Sequence, residues 1–359
     1  MNVPFHKPYI LVWETTFKCS MRCRHCGSSC DTSRADELST AEALDLCDQI
    51  AHLETQRTVL SGGETFLRDD WPMIADRLVG NGVQVSVITN GLVISKAVIA
   101  NLLLLREKHP GKRIALHLSV DGVGESHDFL RGIDGAYAKL CEKMKELRVH
   151  EIPFSIVTTI HRRNLHQMPE ILDMIRQAGA YAWQMQAINV YGRARENDEL
   201  TITPDEYYEV VHQIADLKAR NPDFRIEPSD CIGYFGPTES LLRPVPWSGC
   251  HAGIYCYGIQ SNGNVKGCLS LIDDRFVEGN VRKEPLRAIW TKPGAFSYNR
   301  DFTPDKLTGH CGACEYGALC RGGCTAMAHS YTGSCFENLY CVTAIEAKRK
   351  NRVEEPLKG

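Results

Sequence analysis

The chain has 359 residues, of which 43% are hydrophobic and 24% are charged, and its formal net charge is −3. This is ordinary globular composition, and the slightly acidic balance excludes an extended basic surface for nucleic acid or anionic lipid. The first residues lack the cationic start and apolar run of a signal peptide, and no stretch of about 18 apolar residues could span a membrane. These features predict a cytoplasmic protein that contacts neither nucleic acid nor membrane.

The first two thirds of the chain alternate between short β-rich runs and segments with helical periodicity. Strands are predicted at 9–14, 58–60, 83–89, 113–120, 153–159 and 182–189. Helices are predicted at 39–54, 71–80, 95–108, 137–149, 165–178 and 204–219. The first helix opens with a capping box formed by Ser39 and Glu42. Six β/α units in series predict an α/β fold with a parallel sheet, closed or partly closed into a barrel, whose strand ends carry the chemistry.

The pattern changes after Arg220, where Gly, Pro, Asn and Cys become frequent and the helices shorten. We therefore predict a core at 1–220, a linker at 221–246, a second unit at 247–345 and a tail at 346–359. Most of the cysteines lie in the second unit, which indicates that metal binding supplies part of its stability.

Sixteen cysteines are unusual for a chain of this size and composition. Proteins built on disulfides are short, secreted and loop-rich, and this chain is neither. Buried cysteines that act as small hydrophobic residues would be scattered, whereas most of these are grouped at close spacing. The grouping predicts metal thiolates in a reducing compartment.

The first group follows the first predicted strand, where Cys19, Cys23 and Cys26 have the spacing C-x3-C-x2-C. A cubane iron–sulfur cluster takes four ligands, so three thiolates on one loop leave one iron open to a cofactor or a substrate. The alternative is a structural zinc loop, which would need Cys30 or His25 as its fourth ligand.

Glycine-rich and polar motifs follow the next three strands. They are Gly62-Gly63-Glu64, Thr89-Asn90-Gly91, and Ser119 with Asp121, followed by Arg131-Gly132. Each alone is typical of an ordinary turn. Their succession at strand ends, after a loop with three thiols, indicates a ligand site.

These motifs resemble those of the radical S-adenosylmethionine (SAM) superfamily, and the resemblance covers about residues 8–215. It implies a partial (β/α)6 TIM-like barrel and a [4Fe–4S] cluster, held by the three catalytic cysteines, whose open iron chelates SAM. It further implies an electron donor such as flavodoxin or ferredoxin. Reduction of SAM would then yield methionine and a 5′-deoxyadenosyl radical, which abstracts a hydrogen atom from the substrate.

The same resemblance assigns SAM contacts to residues outside the three thiols. Glu64, after Gly62 and Gly63, would bind the SAM ammonium group, and Ser119 and Arg131 match positions that hold its ribose and carboxylate. Asn90 and Asp121 belong to the same set of strand-end motifs. His25 stands where an aromatic residue is usual, and its imidazole would lie against adenine.

The C-terminal cysteines resemble the SPASM extension over about residues 246–345. By that resemblance, auxiliary cluster I is held by Cys250, Cys256, Cys268 and Cys324, and auxiliary cluster II by Cys311, Cys314, Cys320 and Cys341. The resemblance therefore implies three [4Fe–4S] clusters in all. Cys335 is the alternative to Cys341 as the last ligand, and two zinc sites are the alternative to the two clusters. Cys256 implies that cluster I is fully ligated.

The SPASM resemblance implies a ribosomally made peptide or protein as the substrate, modified by crosslinking, epimerisation or backbone excision. An anaerobic sulfatase-maturing enzyme is one alternative, although Leu269 stands where those enzymes place an Asp. A small-molecule radical SAM dehydrogenase is another alternative, and a non-enzymatic cluster carrier is a third. Only 18 residues precede Cys19, so we expect a separate leader-peptide recognition protein or direct recognition of the substrate.

Overall fold

The computed structural model describes residues 6–112 and 114–354, and in that part of the chain a ten-stranded sheet forms the centre of the molecule. Its strands are β1 (Ile10–Thr16), β2 (Arg57–Gly62), β3 (Gln84–Thr89), β4 (Ala115–Ser119), β5 (Phe154–Ile160), β6 (Ala182–Ala187), β7 (Arg225–Pro228), β8 (Cys256–Ile259), β9 (Asn264–Lys266) and β10 (Gly279–Asn280). The spatial order is β10-β9-β8-β1-β2-β3-β4-β5-β6-β7.

In the core, helices connect the parallel strands and cover one face of the sheet, and further helices follow β7 and β10. They are α1 (Thr40–His52), α2 (Trp71–Gly80), α3 (Lys96–Lys108), α4 (Glu125–Arg131), α5 (Ala136–Val149), α6 (Met168–Ala178), α7 (Pro204–Arg220), α8 (Glu239–Leu242), α9 (Leu286–Thr291), α10 (Ser297–Arg300), α11 (Gly309–Gly312), α12 (Gly317–Cys320), α13 (Thr325–Thr332) and α14 (Val342–Glu354). In the part of the chain that the structure describes, no helix is both long and apolar enough to cross a membrane.

The first seven strands are parallel and adjacent in chain order, which is the arrangement of a partial (β/α) barrel. Their outward side chains, such as Leu118, Ile156 and Trp183, are buried in one continuous apolar core with the helices. The predicted α/β class and partial barrel are therefore confirmed. The capping box is also present, because Glu42 N donates to Ser39 and the Ser39 backbone donates back to Glu42.

Three elements differ from the sequence-based expectation. The segment 221–246, predicted as a linker, contains β7, which adds a seventh parallel strand beside β6. The short helix α4 carries Arg131 and was not predicted, because seven residues are too few for a clear helical period. The predicted tail begins inside α14, and residues 355–359 and Arg113 of the fourth predicted strand lie outside the described residues.

The second unit extends the sheet of the core at its other edge. Strand β8 pairs in parallel with β1, and β9 and β10 continue from it as antiparallel strands. The buried carboxylate of Glu14 in β1 fastens this junction, because it accepts hydrogen bonds from the Ser261 backbone and hydroxyl (3.1 and 3.0 Å) and from Arg34. The sheet thus fixes the N-terminal cysteines and the C-terminal cysteines relative to each other.

A buried lysine holds the loop that follows Cys268. The Lys266 side chain is fully buried, and its ammonium donates to the carbonyl oxygens of Leu271 (3.1 Å), Ile272 (2.8 Å) and Asp273 (3.1 Å). Three carbonyl groups of one loop therefore depend on a single cation for their hydrogen bonds.

We expect Lys266→Met to lower the free energy of unfolding by about 3 kcal/mol, because it keeps the buried apolar stem but leaves these carbonyls unpaired. Lys283→Met, at an exposed position, is the matched control and should have little effect. Urea unfolding of the anaerobic holoprotein measures both variants. Equal stability of the two variants would show that the carbonyls find other partners.

Candidate functional site

The three N-terminal thiols lie on the loop between β1 and α1, at the carboxyl end of the sheet. The backbone holds this loop, since Cys19 N donates to Asp31 O (2.8 Å) and Cys26 N donates to Cys23 O (3.2 Å). The thiols are close enough that ionised Cys26 raises the pKa of both Cys19 and Cys23. Burial raises the pKa of Cys19 to about 11 and also raises that of Cys23. Buried thiolates at this place therefore need a cation beside them, as iron would supply.

Cys30 is a fourth thiol beside this loop and is buried. Its hydrogen bond to Cys26 lowers the pKa of Cys26 and raises that of Cys30, so the proton of the pair stays on Cys30. The structure thus brings four cysteines together, of which the sequence motif includes three.

Glu64 ends the glycine motif and is buried beside the loop. Its carboxylate accepts from Thr89 Oγ1 and Asn90 N, both at 2.9 Å. Burial outweighs these bonds and raises the pKa of Glu64 to about 7. A cationic group brought to this carboxylate would favour its ionised form, so the position suits an ammonium ligand.

The two glycines before Glu64 have a structural reason to be glycine. A Cβ atom at Gly62 would collide with the Thr16 carbonyl, and one at Gly63 with the Lys18 carbonyl. The observed neighbour is the backbone of the cysteine loop, which packs directly on them.

Arg131 and Asp121 form a buried ion pair behind the cysteine loop. Arg131 Nη1 also lies 3.6 Å from Cys23 Sγ. Burial alone would raise the pKa of Asp121, but Arg131 lowers it to about 2. The contacts that the structure shows for Arg131 are thus with a thiol and a carboxylate of this chain, and its predicted role toward SAM stays a prediction.

His25, Asn90 and Ser119 border the same site. His25 Nε2 lies 3.7 Å from Asp121, and burial lowers the pKa of His25 to about 3, so its imidazole is neutral. The Asn90 side chain accepts from Leu92 N and approaches Ser20 Oγ at 3.5 Å. Ser119 is half-buried at the carboxyl end of β4. The predicted strand-end residues therefore lie around one site.

Arg193 explains how the loop is held from the opposite side. Its guanidinium donates to Cys23 O (2.8 Å) and Cys30 O (3.2 Å), and its backbone N donates to Cys26 O. This arginine therefore anchors the cysteine loop. These partners are far from Arg193 in the sequence, and the residue type alone does not identify them, so they could not be predicted.

The C-terminal cysteines separate into two groups by their mutual electrostatic effects. Cys250, Cys256, Cys268 and Cys324 form one group, and Cys311, Cys314, Cys320 and Cys341 form the other. Cys335 interacts with Cys250 of the first group, and among the described residues no contact or charge effect joins its thiol to the second group. This grouping supports Cys341 rather than Cys335 as the fourth thiol of the second site.

The donor sets fit iron–sulfur clusters. Within the described residues, no three His, Cys, Asp or Glu side chains converge closely enough to hold a single metal ion. Four irons and four sulfides fill more space than one ion, and four thiols are the usual donor set for them. The buried Tyr298 hydroxyl, near Cys250, Cys256 and Cys268, has no partner among the described groups, so it is free to donate to a cluster sulfide.

We predict that Cys341→Ala removes one cluster, so that iron falls from about twelve to about eight per chain, because a cubane needs its fourth thiolate. Cys335→Ala is the matched control, and its iron content should stay at about twelve. Iron and sulfide analysis of the anaerobically reconstituted proteins measures this difference. If Cys335→Ala loses the iron and Cys341→Ala keeps it, Cys335 is the fourth ligand and Cys341 is not.

Comparisons with known proteins agree with this geometry. Residues 13–175 match the model of the Radical SAM superfamily, and residues 250–315 match SPASM, an iron–sulfur cluster-binding domain. The AdoMet-dependent heme synthase of Methanosarcina barkeri is 29% identical over 93% of this chain and 96% of its own. The PqqA peptide cyclase of Granulibacter bethesdensis is 26% identical over 91% of this chain and 84% of its own.

A solved structure of Streptococcus suis SuiB bound to its precursor peptide SuiA has the same fold, with a TM-score of 0.71 at 15% identity. The match covers 93% of this chain and 75% of that one. With the family matches, the loop of three thiols and the two further thiol groups, this chain belongs to the radical SAM superfamily and carries a SPASM domain.

Proposed function

We propose that this radical SAM enzyme abstracts a hydrogen atom from a ribosomally made peptide or protein and so modifies it after translation. The three N-terminal thiols would hold one [4Fe–4S] cluster, and the two C-terminal groups would hold one each. When bound, the reduced N-terminal cluster supplies the electron that cleaves SAM. The chain's own residues bind SAM, exclude water and present the substrate.

The observation that carries the choice of a peptide is the inner face of the sheet, opposite the helices. Strand pairing places His117 and Ser119 of β4, Thr159 of β5, and Gln184 and Gln186 of β6 on this face. Most of these side chains are half-buried, in contrast to the fully buried apolar side chains between them.

Apart from Ala115, Val157 and Ala182, the side chains that these three strands place on this face are polar and uncharged. His117 Nδ1 lies 2.6 Å from Ser155 Oγ, and burial lowers the pKa of His117 to about 4, so the imidazole is neutral. Gln186 donates to Thr159 Oγ1 (3.1 Å). Amide and hydroxyl groups that both donate and accept suit a substrate built of amides.

The alternative is the reaction of the heme synthases, and the identity of 29% over nearly the whole of both chains favours it. A heme-type substrate is a broad apolar ring, and it favours apolar walls. The uncharged polar face of β4, β5 and β6 is better matched to peptide groups, so we prefer the peptide.

The substrate class is tested with the anaerobic reconstituted enzyme, SAM and dithionite. We expect a short peptide encoded beside this gene to change in mass and to increase 5′-deoxyadenosine formation, and a porphyrin with propionate side chains to do neither. Conversion of the porphyrin without change in the peptide would overturn the proposal and support the alternative.

A variant pair refines this experiment. Gln186→Leu should raise the KM for the peptide about tenfold, because it removes a hydrogen bond worth about 1.4 kcal/mol. Gln177→Leu, at an exposed position on α6, is the control.

The radical SAM assignment of the first cysteine loop makes a separate prediction. Cys23→Ala should abolish 5′-deoxyadenosine formation and remove about four irons, because a cubane cannot be held by two thiolates. The absorbance of the SPASM clusters should remain. Cys141→Ala, in a helix away from all three thiol groups, is the control, and SAM cleavage by Cys23→Ala at the control's rate would contradict the assignment.

A further inference from the structure

A buried pair, Tyr191 and His329, joins the core to the SPASM domain. Tyr191 follows β6, directly before the residues that pack on the cysteine loop, and His329 lies in α13, the helix that begins after Cys324. Tyr191 Oη lies 2.5 Å from His329 Nδ1, and the two rings are 22° from parallel. The pair is thus placed between the predicted SAM cluster and auxiliary cluster I.

The hydrogen bond of this pair fixes the position of the histidine proton. Burial raises the pKa of Tyr191, so its hydroxyl keeps its proton. If His329 Nδ1 donated, the tyrosine proton would be left without an acceptor inside the protein. If the Tyr191 hydroxyl donates, only one buried group remains unpaired, and native proteins minimise such groups. His329 therefore carries its proton on Nε2.

That Nε2–H is a donor without a partner. The His329 side chain is only 9% exposed, and Nε2 has no hydrogen-bond partner among the described residues. Leaving a buried donor unpaired costs about 1–3 kcal/mol. The Phe276 ring stands perpendicular to the imidazole, with the ring centroids 5.1 Å apart. An acceptor brought by a ligand would satisfy this donor.

The charged groups that face His329 indicate the kind of acceptor. Burial lowers the pKa of His329, and so does Arg275, from the segment between β9 and β10; Asp273 opposes them, and Arg195, from the turn after Tyr191, lowers the pKa further. Asp273 is itself paired with Arg275 (3.3 Å). The neutral imidazole donor therefore lies in a region of positive potential, which favours an anionic oxygen.

We propose that His329, oriented by Tyr191, donates its Nε2–H to a carboxylate of the substrate and holds it between the two cluster sites. Arg195 and Arg275 supply the positive charge that selects a carboxylate over a neutral carbonyl. This inference rests on the proposed function and adds to it the requirement for a substrate carboxylate. His329 is thus a substrate-binding residue contributed by the SPASM domain.

Binding without turnover tests this inference. Propionate and its neutral isostere propionamide are the probes, and their dissociation constants are measured by saturation-transfer NMR on the holoenzyme with SAM and without a reductant. We expect propionate to bind at least about tenfold more tightly than propionamide, which corresponds to about 1.4 kcal/mol. Equal binding of the two probes would overturn the proposal.

Two conservative variants distinguish the loss of the Nε2 donor from the loss of the structural contact with Tyr191. His329→Asn keeps a partner for the Tyr191 hydroxyl at the Nδ1 position but has no donor at Nε2, and propionate binding should weaken about tenfold. His329→Gln keeps an N–H at the Nε2 position and should stay within about threefold of the wild type. His166→Gln, at an exposed histidine, is the control. Unchanged propionate binding in His329→Asn would show that Nε2 is not the donor.

A second set of probes identifies the source of the carboxylate. A peptide with a free C-terminal carboxylate is compared with its C-terminal amide, and a porphyrin bearing propionates with its methyl ester. Binding that depends on both the carboxylate and His329 supports the proposal and names the source. If the peptide is modified but neither carboxylate affects binding, this inference fails while the proposed function stands.

Discussion

The fixed shape of the cysteine loop after β1 is the constraint on which the site depends. Gly62 and Gly63 lie directly against one side of the loop, where any Cβ would meet its backbone carbonyls. Arg193 binds the carbonyls of Cys23 and Cys30 from the other side. Since the backbone is held from both sides, the loop that carries the three thiols keeps its shape before any metal arrives. A preorganised donor set of this kind loses less conformational entropy on binding its cluster.

The charge behind this loop is balanced inside the protein. Arg131 lies between the Asp121 carboxylate and the Cys23 thiol, and all three are buried. Removing either ion of such a pair typically costs about 3–5 kcal/mol, because the other is left without a counter-charge. A cluster thiolate that faces a guanidinium is also stabilised as an anion. The Arg131–Asp121 pair therefore stabilises the barrel, and its arginine also stabilises negative charge on the thiol loop.

Much of this arrangement could be predicted from the sequence, since it depends on local patterns. The strand-end motifs, the capping box at Ser39 and the thiol spacings all concern residues that are near one another in the chain. Contacts between residues that are far apart in the chain leave no such pattern in the sequence. Arg193 lies 170 residues from Cys23, and Ser261 lies 247 residues from Glu14. Strand β7, with four residues, is also too short to show alternation.

The SPASM domain does more than hold two further groups of thiols. Strand β8 extends the core sheet beside β1, and His329 of α13 reaches Tyr191, which follows the carboxyl end of β6. A substrate that lies between these two units would touch side chains of both. Hydrogen abstraction by the core would then act on a group whose position the SPASM domain sets. Under the proposed function, this arrangement would give the domain a part in substrate choice that is independent of whether its clusters transfer electrons.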